Sequence, residues 1–524
     1  MTSSSLAQDV YAAIQNVVGS GHLSDADEVR REFSEDLMGF EGAIRVAMVA
    51  RPATSLEVSD VLKIAAAHGY AVTSRGAGLS YTKGYTPQSD RTIALDLTRM
   101  NRVVECNADD MYLTCEAGAT WQAALDAAYR VDMRPVLIGP ISGSASTLGG
   151  AASQNVLGAM HGMIGLEVVL ADGSIVRTGS GGVVRHRSNF YRTVGPDVTG
   201  LFLGDTGSYA IKTQVTLQLE PRPAGCALAS FSFARLDELA AAMSRIARQG
   251  LARRLIGMDP IKTRTASKVG LDEAGRVLTD VVQKSRSLRK GLSEAWSLVR
   301  SGRSSLDDAD WALHVFVDGF DQDVADRKLA VIRKLCERDS VEIDANVAIA
   351  LNAGPYSVRG FLGLQGERWL PIHGIFPLSR AVEVSKAVHA FLAEREAVMA
   401  EHGISHCCCV FSEGPVFCIE PMFYWRDELG PLHARYLDPS KYERFRHHQA
   451  DPETRAIVHE LRDAVKTLFL EAGALHGQIG KYYDFSDMVD PGLMALLTKI
   501  KSAVDPDGLL NPGNFGWNVD RNCA

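Results

Sequence analysis

Ser74-Arg-Gly-Ala-Gly-Leu-Ser-Tyr81 is the stretch on which the fold turns. It continues a short strand-like run that starts at Tyr70. Glycines at 76 and 78 let the main chain turn sharply and let its N–H groups converge on an anion. A second loop of small residues follows later, Gly139-Pro-Ile-Ser-Gly-Ser-Ala-Ser-Thr-Leu-Gly-Gly150. Two such loops suit a long, bent ligand with a diphosphate, and a dinucleotide is the natural candidate. The first loop is not the βαβ dinucleotide fingerprint. Its third glycine position holds Tyr81, and no helix signal comes after it. A Walker pattern is also absent.

Working outward, apolar spacing predicts helical segments within the first 40 residues and over 55–68, with a serine cap and Glu57 in the first turn. Strands are predicted at 45–49, 92–97, 102–106 and 112–116, and a helix at 120–128. Residues 166–170 and 174–178 flank Ala171-Asp172-Gly173, a strong hairpin signal. A strand at 210–219 closes at Glu220-Pro-Arg-Pro223, the first domain boundary. Beyond it come a strand at 228–233, a helix at 236–249, a strand at 373–376, a helix at 379–399, strands at 407–411 and 416–421, and a helix at 453–472. Strand–helix–strand repeats of this kind suggest an α+β domain, with an antiparallel sheet and helices on one face.

A chain of 524 residues is too long for one hydrophobic core. Its composition is 46% hydrophobic and 23% charged, which is that of an ordinary globular protein. The net charge of −8 carries no basic excess, so nucleic acid is not expected as a partner. No stretch approaches the ~20 apolar residues of a bilayer span, and residues 1–10 carry no visible secretory signal. Nine cysteines, three of them consecutive at 407–409, read as reduced, mostly buried thiols in a cytoplasmic setting. Residues 284–303 are locally basic around Trp296. They read either as a solvated or subunit-facing helix or as a docking face for an acidic partner or membrane surface.

Several motifs, in order, resemble the vanillyl-alcohol oxidase/p-cresol methylhydroxylase flavoproteins, the PCMH-type FAD-binding superfamily. They are Arg51-Pro52, Ser74-Arg-Gly-x-Gly, Leu95-Asp-Leu97, Met100-Asn-Arg-Val-Val104, Glu116-Ala-Gly-Ala119 and Ser146-Thr-Leu-Gly-Gly150. Gly165-Leu-Glu-Val-Val-Leu-Ala-Asp-Gly173, Gly204-Asp-Thr-Gly207 and Asp505-Pro-x-Gly-x-x-Asn-Pro-Gly513 complete the set. The resemblance implies an α+β, two-domain fold. An FAD domain at 1–222 and 470–524 would enclose an inserted cap or substrate domain at 223–469, built on an antiparallel sheet. It also implies FAD. Arg75, Gly76, Ala77, Gly78, Leu79 and Ser80 would cradle the pyrophosphate. Pro140, Ser142, Gly143, Ser146, Thr147, Gly149 and Gly150 would run beside the ribityl chain and flavin. The Ile211 backbone would meet the adenine, and Asn511 would lie in the segment returning to the flavin. Leu79 stands where the berberine-bridge branch has its tethering histidine.

The implied chemistry is hydride transfer from a C–H bond of a small-molecule donor to the flavin, with oxygen or a separate electron carrier as acceptor. A homodimer is the family's usual assembly. In the vanillyl-alcohol branch, two tyrosines and an arginine hold a phenolate. Tyr81 falls at one tyrosine position. Gly480-Lys-Tyr482-Tyr483 resembles that branch's Gly-Glu-Tyr-Arg, making Tyr482 the second tyrosine and placing Tyr483 where the arginine stands. The branch's flavin-side aspartate has no counterpart at Ile141 and Ser142. The lead donor is therefore a phenolic or aromatic alcohol. The alternative is a D-2-hydroxy acid, because Leu475-His-Gly-Gln-Ile-Gly480 loosely echoes the lactate/glycolate branch, although that branch's metal motif is missing. Arg359, Arg368 and Arg380 are candidates for binding a carboxylate. His373, in Pro371-Ile-His-Gly-Ile-Phe-Pro377, stands open between a catalytic histidine and a satisfied core one, and His406 is left open as a flavin tether. A non-catalytic flavin-binding subunit is the third reading.

Overall fold

The computed structural model describes residues 3–39, 44–156, 161–185, 188–267, 310–356, 358 and 361–517. Arg359 and the basic segment 284–303 lie outside the described residues. The chain divides into two compact units. The first comprises Met1–Arg222, Leu429–Tyr442 and Gly477–Ala524. The second comprises Pro223–Glu428 and Glu443–His476.

The first unit is built on two sheets. In one, β1 (Leu23–Ser24), β2 (Met48–Ala50), β3 (Ala71–Arg75) and β4 (Thr92–Asp96) lie in the order β1-β2-β4-β3. The β2–β4 and β3–β4 pairs are parallel. Every residue of β4 is buried, as a parallel strand covered on both faces requires. Helix Ser55–Ala67 turns Val58, Val61, Leu62 and Ala65 inward, into a core with Val72, Ile93 and Leu95. Its cap is Thr54 rather than the expected serine. Thr54 is extended, and its hydroxyl accepts from Glu57 N, whereas Ser55 is already helical and donates to Glu167 Oε1.

The second sheet holds β5 (Val103–Asn107), β6 (Tyr112–Glu116), β7 (Met133–Pro135), β8 (Met163–Val169), β9 (Ile175–Arg177) and β10 (Ile211–Pro221). Its order is β5-β6-β10-β8-β9, with β7 also on β10, and every pairing is antiparallel. The hairpin forms at Asp172-Gly173, where Leu170 N donates to Ser174 O. The register of β10 slips between Lys212 and Gln214. Such a bulge re-aims a side chain. Here the Lys212 ammonium meets Asp205, both fully buried.

The second unit is one antiparallel sheet: β11 (Gly225–Phe233), β12 (Arg254–Met258), β13 (Trp311–Gly319), β14 (Val341–Ile343), β15 (Arg368–Pro371), β16 (Gly374–Pro377), β17 (Ser405–Glu413) and β18 (Val416–Trp425). The order is β14-β11-β13-β12-β17-β18-β15, with β16 also on β18. Helices Leu236–Ala247 and Ala381–Glu394 pack on each other through faces such as Leu239, Met243, Val384 and Val388. The long helix expected at 379–399 is two helices, Ala381–Glu394 and Glu396–Glu401, with Arg395 between them. His373 lies just before β16 rather than inside a strand.

The expectation for the inserted part, 223–469, differs from this division in two places. Residues 429–442 group with the first unit, because Tyr436 Oη donates to Ala77 O (2.6 Å) and Arg435 Nη1 pairs with Glu32. The return begins at Gly477 rather than 470, because Leu475 bridges Ile375 and His476 Nδ1 donates to His373 O (2.7 Å). Cys407, Cys408 and Cys409 form no disulfide and are buried. Burial pushes the Cys407 thiol up to about 12 and raises the other two well above the ordinary thiol value, so these are inert thiols. No helix among the described residues is long and apolar enough to cross a membrane.

Asp205 is the linchpin of the Gly204–Gly207 turn. It accepts from Gly207 N (2.8 Å) and Tyr209 N (3.3 Å) and neutralises Lys212, whose ammonium burial alone drives toward the neutral form. Asp205→Ala is expected to destabilise the chain by ~3–5 kcal/mol, since it strands a buried ammonium. Urea denaturation followed by tryptophan fluorescence measures this.

Candidate active site

The two glycine loops meet. The first leaves β3 at Arg75. In the second, Thr147 caps helix Leu148–Gln154 and accepts from Gly150 N (3.2 Å). A Cβ on Gly76 would collide with Thr147 Oγ1, so only glycine fits at that crossing. One turn on, a Cβ at Gly149 would sit 2.6 Å from Ala117 Cβ. Thr120, which caps helix Trp121–Tyr129, bridges Thr147. Beside these capped turns lies a cavity of about 280 Å³, lined by Ala77, Gly118, Thr120, Ala123, Thr147 and Tyr436 among others. The first-turn N–H groups of both helices are already bonded, to Ser146 O, Gly143 O, Ala119 O, Ala117 O and the two cap hydroxyls, so this wall offers a ligand small side chains and loop main chain.

Of the residues expected to bind cofactor, Gly76, Ala77 and Thr147 reach this region directly. The Arg75 side chain has another task. Its Nη1 donates to Glu32 O and its Nη2 pairs with Glu32 Oε1 (2.9 Å), and its guanidinium stacks 3.9 Å from the Phe33 ring. It therefore buttresses the loop from beneath, leaving its main chain as what it can offer a ligand. Ser142 and Ser146 share a hydroxyl hydrogen bond that stiffens the second loop. Ser146 O and Gly143 O accept from Trp121 N and Gln122 N. The Ile211 side chain lies in the core, at the start of β10.

Asn511 ties the returning segment to both sides. Its Oδ1 accepts from Ser74 N (3.3 Å), and its Nδ2 donates to Gly207 O (2.8 Å). Leu510 bridges Val72 in parallel. Asn514, which the sequence reading missed, donates to Gly84 O (2.9 Å) and Thr206 O (3.0 Å). Lys83, Asn155, Thr206, Gln478, Asn511 and Phe515 all hold left-handed φ between 41° and 59°. Non-glycine residues keep that geometry only where their surroundings over-determine it, and such residues cluster at ligand sites.

The tyrosine-bearing segments lie side by side in the first unit. Lys481 N donates to Thr82 O (2.9 Å), so Tyr81 and Tyr482 flank one main-chain hydrogen bond. Gln478 Nε2 donates to Tyr81 Oη (3.1 Å). Tyr482 and Tyr483 are buried and pack edge to face, 5.0 Å between centroids. Lys481 Nζ donates to Lys83 O (2.9 Å) and Thr86 O (3.0 Å). Burial brings its ammonium down to about 7; Lys83 adds to that fall and Asp36 opposes it.

His373 belongs to the second unit and is buried. Its ring lies 6.2 Å from that of His476, edge to face. Burial lowers His476 to about 4, so that imidazole is neutral near pH 7. Arg368 is buried against Trp425, with Nη1 donating to Glu428 O (3.3 Å). Arg380 pairs with Glu383 one turn along, and His406 with Glu396. Among the described residues, no group of three or more His, Cys, Asp or Glu is placed to hold a metal ion.

Residues 46–179 match the family model described as FAD binding domain. Residues 453–515 match that of FAD linked oxidases, C-terminal domain. The whole chain also superposes on solved flavoproteins. A 4-ethylphenol oxidase from Gulosibacter chungangensis is covered to 99% on both chains, with a TM-score of 0.72 and 17% identity. A p-cresol methylhydroxylase is covered to 98% on both, with a TM-score of 0.73 and 15% identity. Residues 46–179 and 453–515 are thus FAD-linked oxidase domains, and the chain has the fold of p-cresol methylhydroxylase and 4-ethylphenol oxidase. Its cofactor is FAD, and the crossing loops, capped turns and adjoining cavity fit that group. Curated relatives of this FAD-linked oxidase/dehydrogenase family include an uncharacterized FAD-linked oxidoreductase of Mycobacterium tuberculosis, 29% identical over 47% of this chain and 53% of its own. The glycolate oxidase subunit GlcD of Bacillus subtilis is 28% identical over 42% of this chain and 46% of its own. The chain thus spans about half the length of these relatives.

Gly76→Ala is expected to raise the FAD dissociation constant by ~10-fold or more, since overpacking there costs ~1–3 kcal/mol. Flavin fluorescence released on dilution measures it. A second expectation concerns Lys481. Between its folded value of about 7 and the ordinary lysine value of ~10.4, the unfolded chain binds the proton that the folded chain does not. This group's contribution to stability therefore rises with pH across that window. Against Lys481→Met, the wild-type melting temperature is expected to gain steadily as pH climbs from neutrality toward that upper value. Scanning fluorimetry over that range gives the difference.

Proposed function

We propose that this flavoprotein is an FAD-dependent oxidoreductase whose donor is a phenolic or aromatic alcohol held by Tyr81 and Tyr482. The observation that carries the reading is the Tyr81–Gln478 hydrogen bond beside the Lys481–Thr82 link, which sets both tyrosines on adjoining, rigidly pinned segments. FAD held at the two loops would supply the acceptor for the hydride of the donor's C–H bond, with the donor's hydroxyl proton passing to solvent or base. The chain's own part is to orient and polarise. Gln478 donates to the Tyr81 oxygen, and a phenol that accepts a hydrogen bond becomes a stronger donor in turn. Two tyrosine hydroxyls stabilise an oxyanion without a cation, which accommodates Tyr483 at the position of the branch's arginine. The buried Tyr482–Tyr483 pair keeps water away from that end.

The likeness to 4-ethylphenol oxidase and p-cresol methylhydroxylase supports a phenolic donor, and the likeness to GlcD supports the second reading, a D-2-hydroxy acid. Within that second reading, Arg368 is a buried guanidinium able to face a carboxylate.

Anaerobic addition of donors to the yellow holoenzyme separates the two. Phenolic alcohols are expected to bleach the flavin, and bleaching by 2-hydroxy acids alone would sink the phenol reading. Tyr81→Phe and Tyr482→Phe are each expected to slow flavin reduction by ~1–3 kcal/mol, or roughly 5- to 150-fold, in stopped-flow traces. Unchanged rates in both variants remove the tyrosines from the site.

A further inference from the structure

The first glycine loop carries main-chain donors that the protein does not use. Among the described residues, none accepts from the N–H of Ala77, Gly78, Leu79 or Ser80. Ala77, Gly78 and Ser80 are buried. Buried main-chain N–H groups are nearly always paired, so a run of open ones calls for an acceptor that arrives with a ligand. Gly78 is left-handed, at φ 74°, a turn that makes successive N–H groups converge on one anion.

Two tyrosines aim these groups. Tyr85 Oη donates to Gly78 O and Tyr436 Oη donates to Ala77 O, each at 2.6 Å. A trans peptide carries its C=O and the next N–H on opposite sides. Holding these two carbonyls therefore turns the N–H groups of Gly78 and Leu79 away from the tyrosine hydroxyls. It also polarises both peptides, and a peptide that accepts at its oxygen donates more strongly from its N–H. Burial holds the Tyr85 hydroxyl well above the ordinary phenol value and raises that of Tyr436 too, so both stay protonated donors. Tyr436 and Ala77 line the cavity together. Next to Tyr436, Arg435 pairs with Glu32, the same carboxylate that holds Arg75, so helix Pro431–Tyr436 is fastened to the base of this loop. Residues 429–442 group with the first unit although the chain on either side of them belongs to the second.

We propose that Tyr85 and Tyr436 are cofactor-positioning residues, whose hydroxyls hold two successive peptides so that Gly78 N and Leu79 N donate to the diphosphate of FAD. The inference concerns the anionic middle of the cofactor and stands whichever donor the enzyme oxidises. A phenylalanine at either position keeps the ring and removes only the tether, which leaves the peptide free to turn.

The test uses the full chain. FAD is stripped from the holoenzyme and titrated back, and the phosphorus NMR and visible spectra of each holoenzyme are recorded. Tyr85→Phe and Tyr436→Phe are each expected to raise the FAD dissociation constant by ~2- to 12-fold, and the double variant by more than either alone. The two diphosphate resonances are expected to move in the variants while the flavin absorption band stays in place. An FAD dissociation constant that the double variant leaves at the wild-type value overturns the proposal. So do diphosphate resonances that stay where the wild type has them while binding weakens, because the hydroxyls then serve the fold and not the diphosphate. Should Tyr85→Phe fail to fold, Tyr436→Phe, at a half-buried position, carries both measurements alone.

Discussion

The crossing of two chain segments at Gly76 and Thr147 governs the rest of the first unit. A side chain at Gly76 would force the loops apart, and one at Gly149 would push its helix off Ala117. With none, Thr147 both caps its own helix and closes over the first loop, and Thr120 aligns a second capped turn next to it. The cavity follows from that approach, since its walls are the capped turns themselves. Arg75 serves the same end from the other side. Its guanidinium is clamped between Glu32 and the Phe33 ring, so the loop cannot sag away from its partner.

The returning segment locks this arrangement. Leu509 and Leu510 join the parallel sheet at Val72, and Lys501 and Asp505 organise the turn that brings them there. Asn511 and Asn514 then hold Ser74, Gly84, Thr206 and Gly207 in one frame. The left-handed residues sit on these ties. Each is a small conformational cost, of order 1–3 kcal/mol, borne because several hydrogen bonds depend on that one geometry.

Much of this was readable in the chain itself. The Asp172-Gly173 hairpin, the amphipathic helices and both small-residue loops announce themselves through local pattern, and local pattern is what periodicity and turn chemistry report. The ordered motifs pointed to the superfamily for the same reason. What escaped was decided by side-chain direction or by long-range contact. Arg75 sits inside a phosphate-loop motif yet faces Glu32. Tyr436 comes from a segment far along the chain, with no local mark of its bond to Ala77 O. Gln478 is an ordinary glutamine in sequence; only the meeting of its segment with that of Tyr81 makes it a clamp. Arg368 carries a charge that usually signals surface, but β15 lays it against Trp425.

The bridge between Val72 and Leu510 has a bearing on biosynthesis. One of its partners leaves the ribosome about 440 residues ahead of the other. The nascent first unit therefore waits, with Ser74, Gly84 and Thr206 unsecured, through translation of the whole second unit. A chain cut before Asn514 lacks the bonds that hold Gly84 O and Thr206 O together.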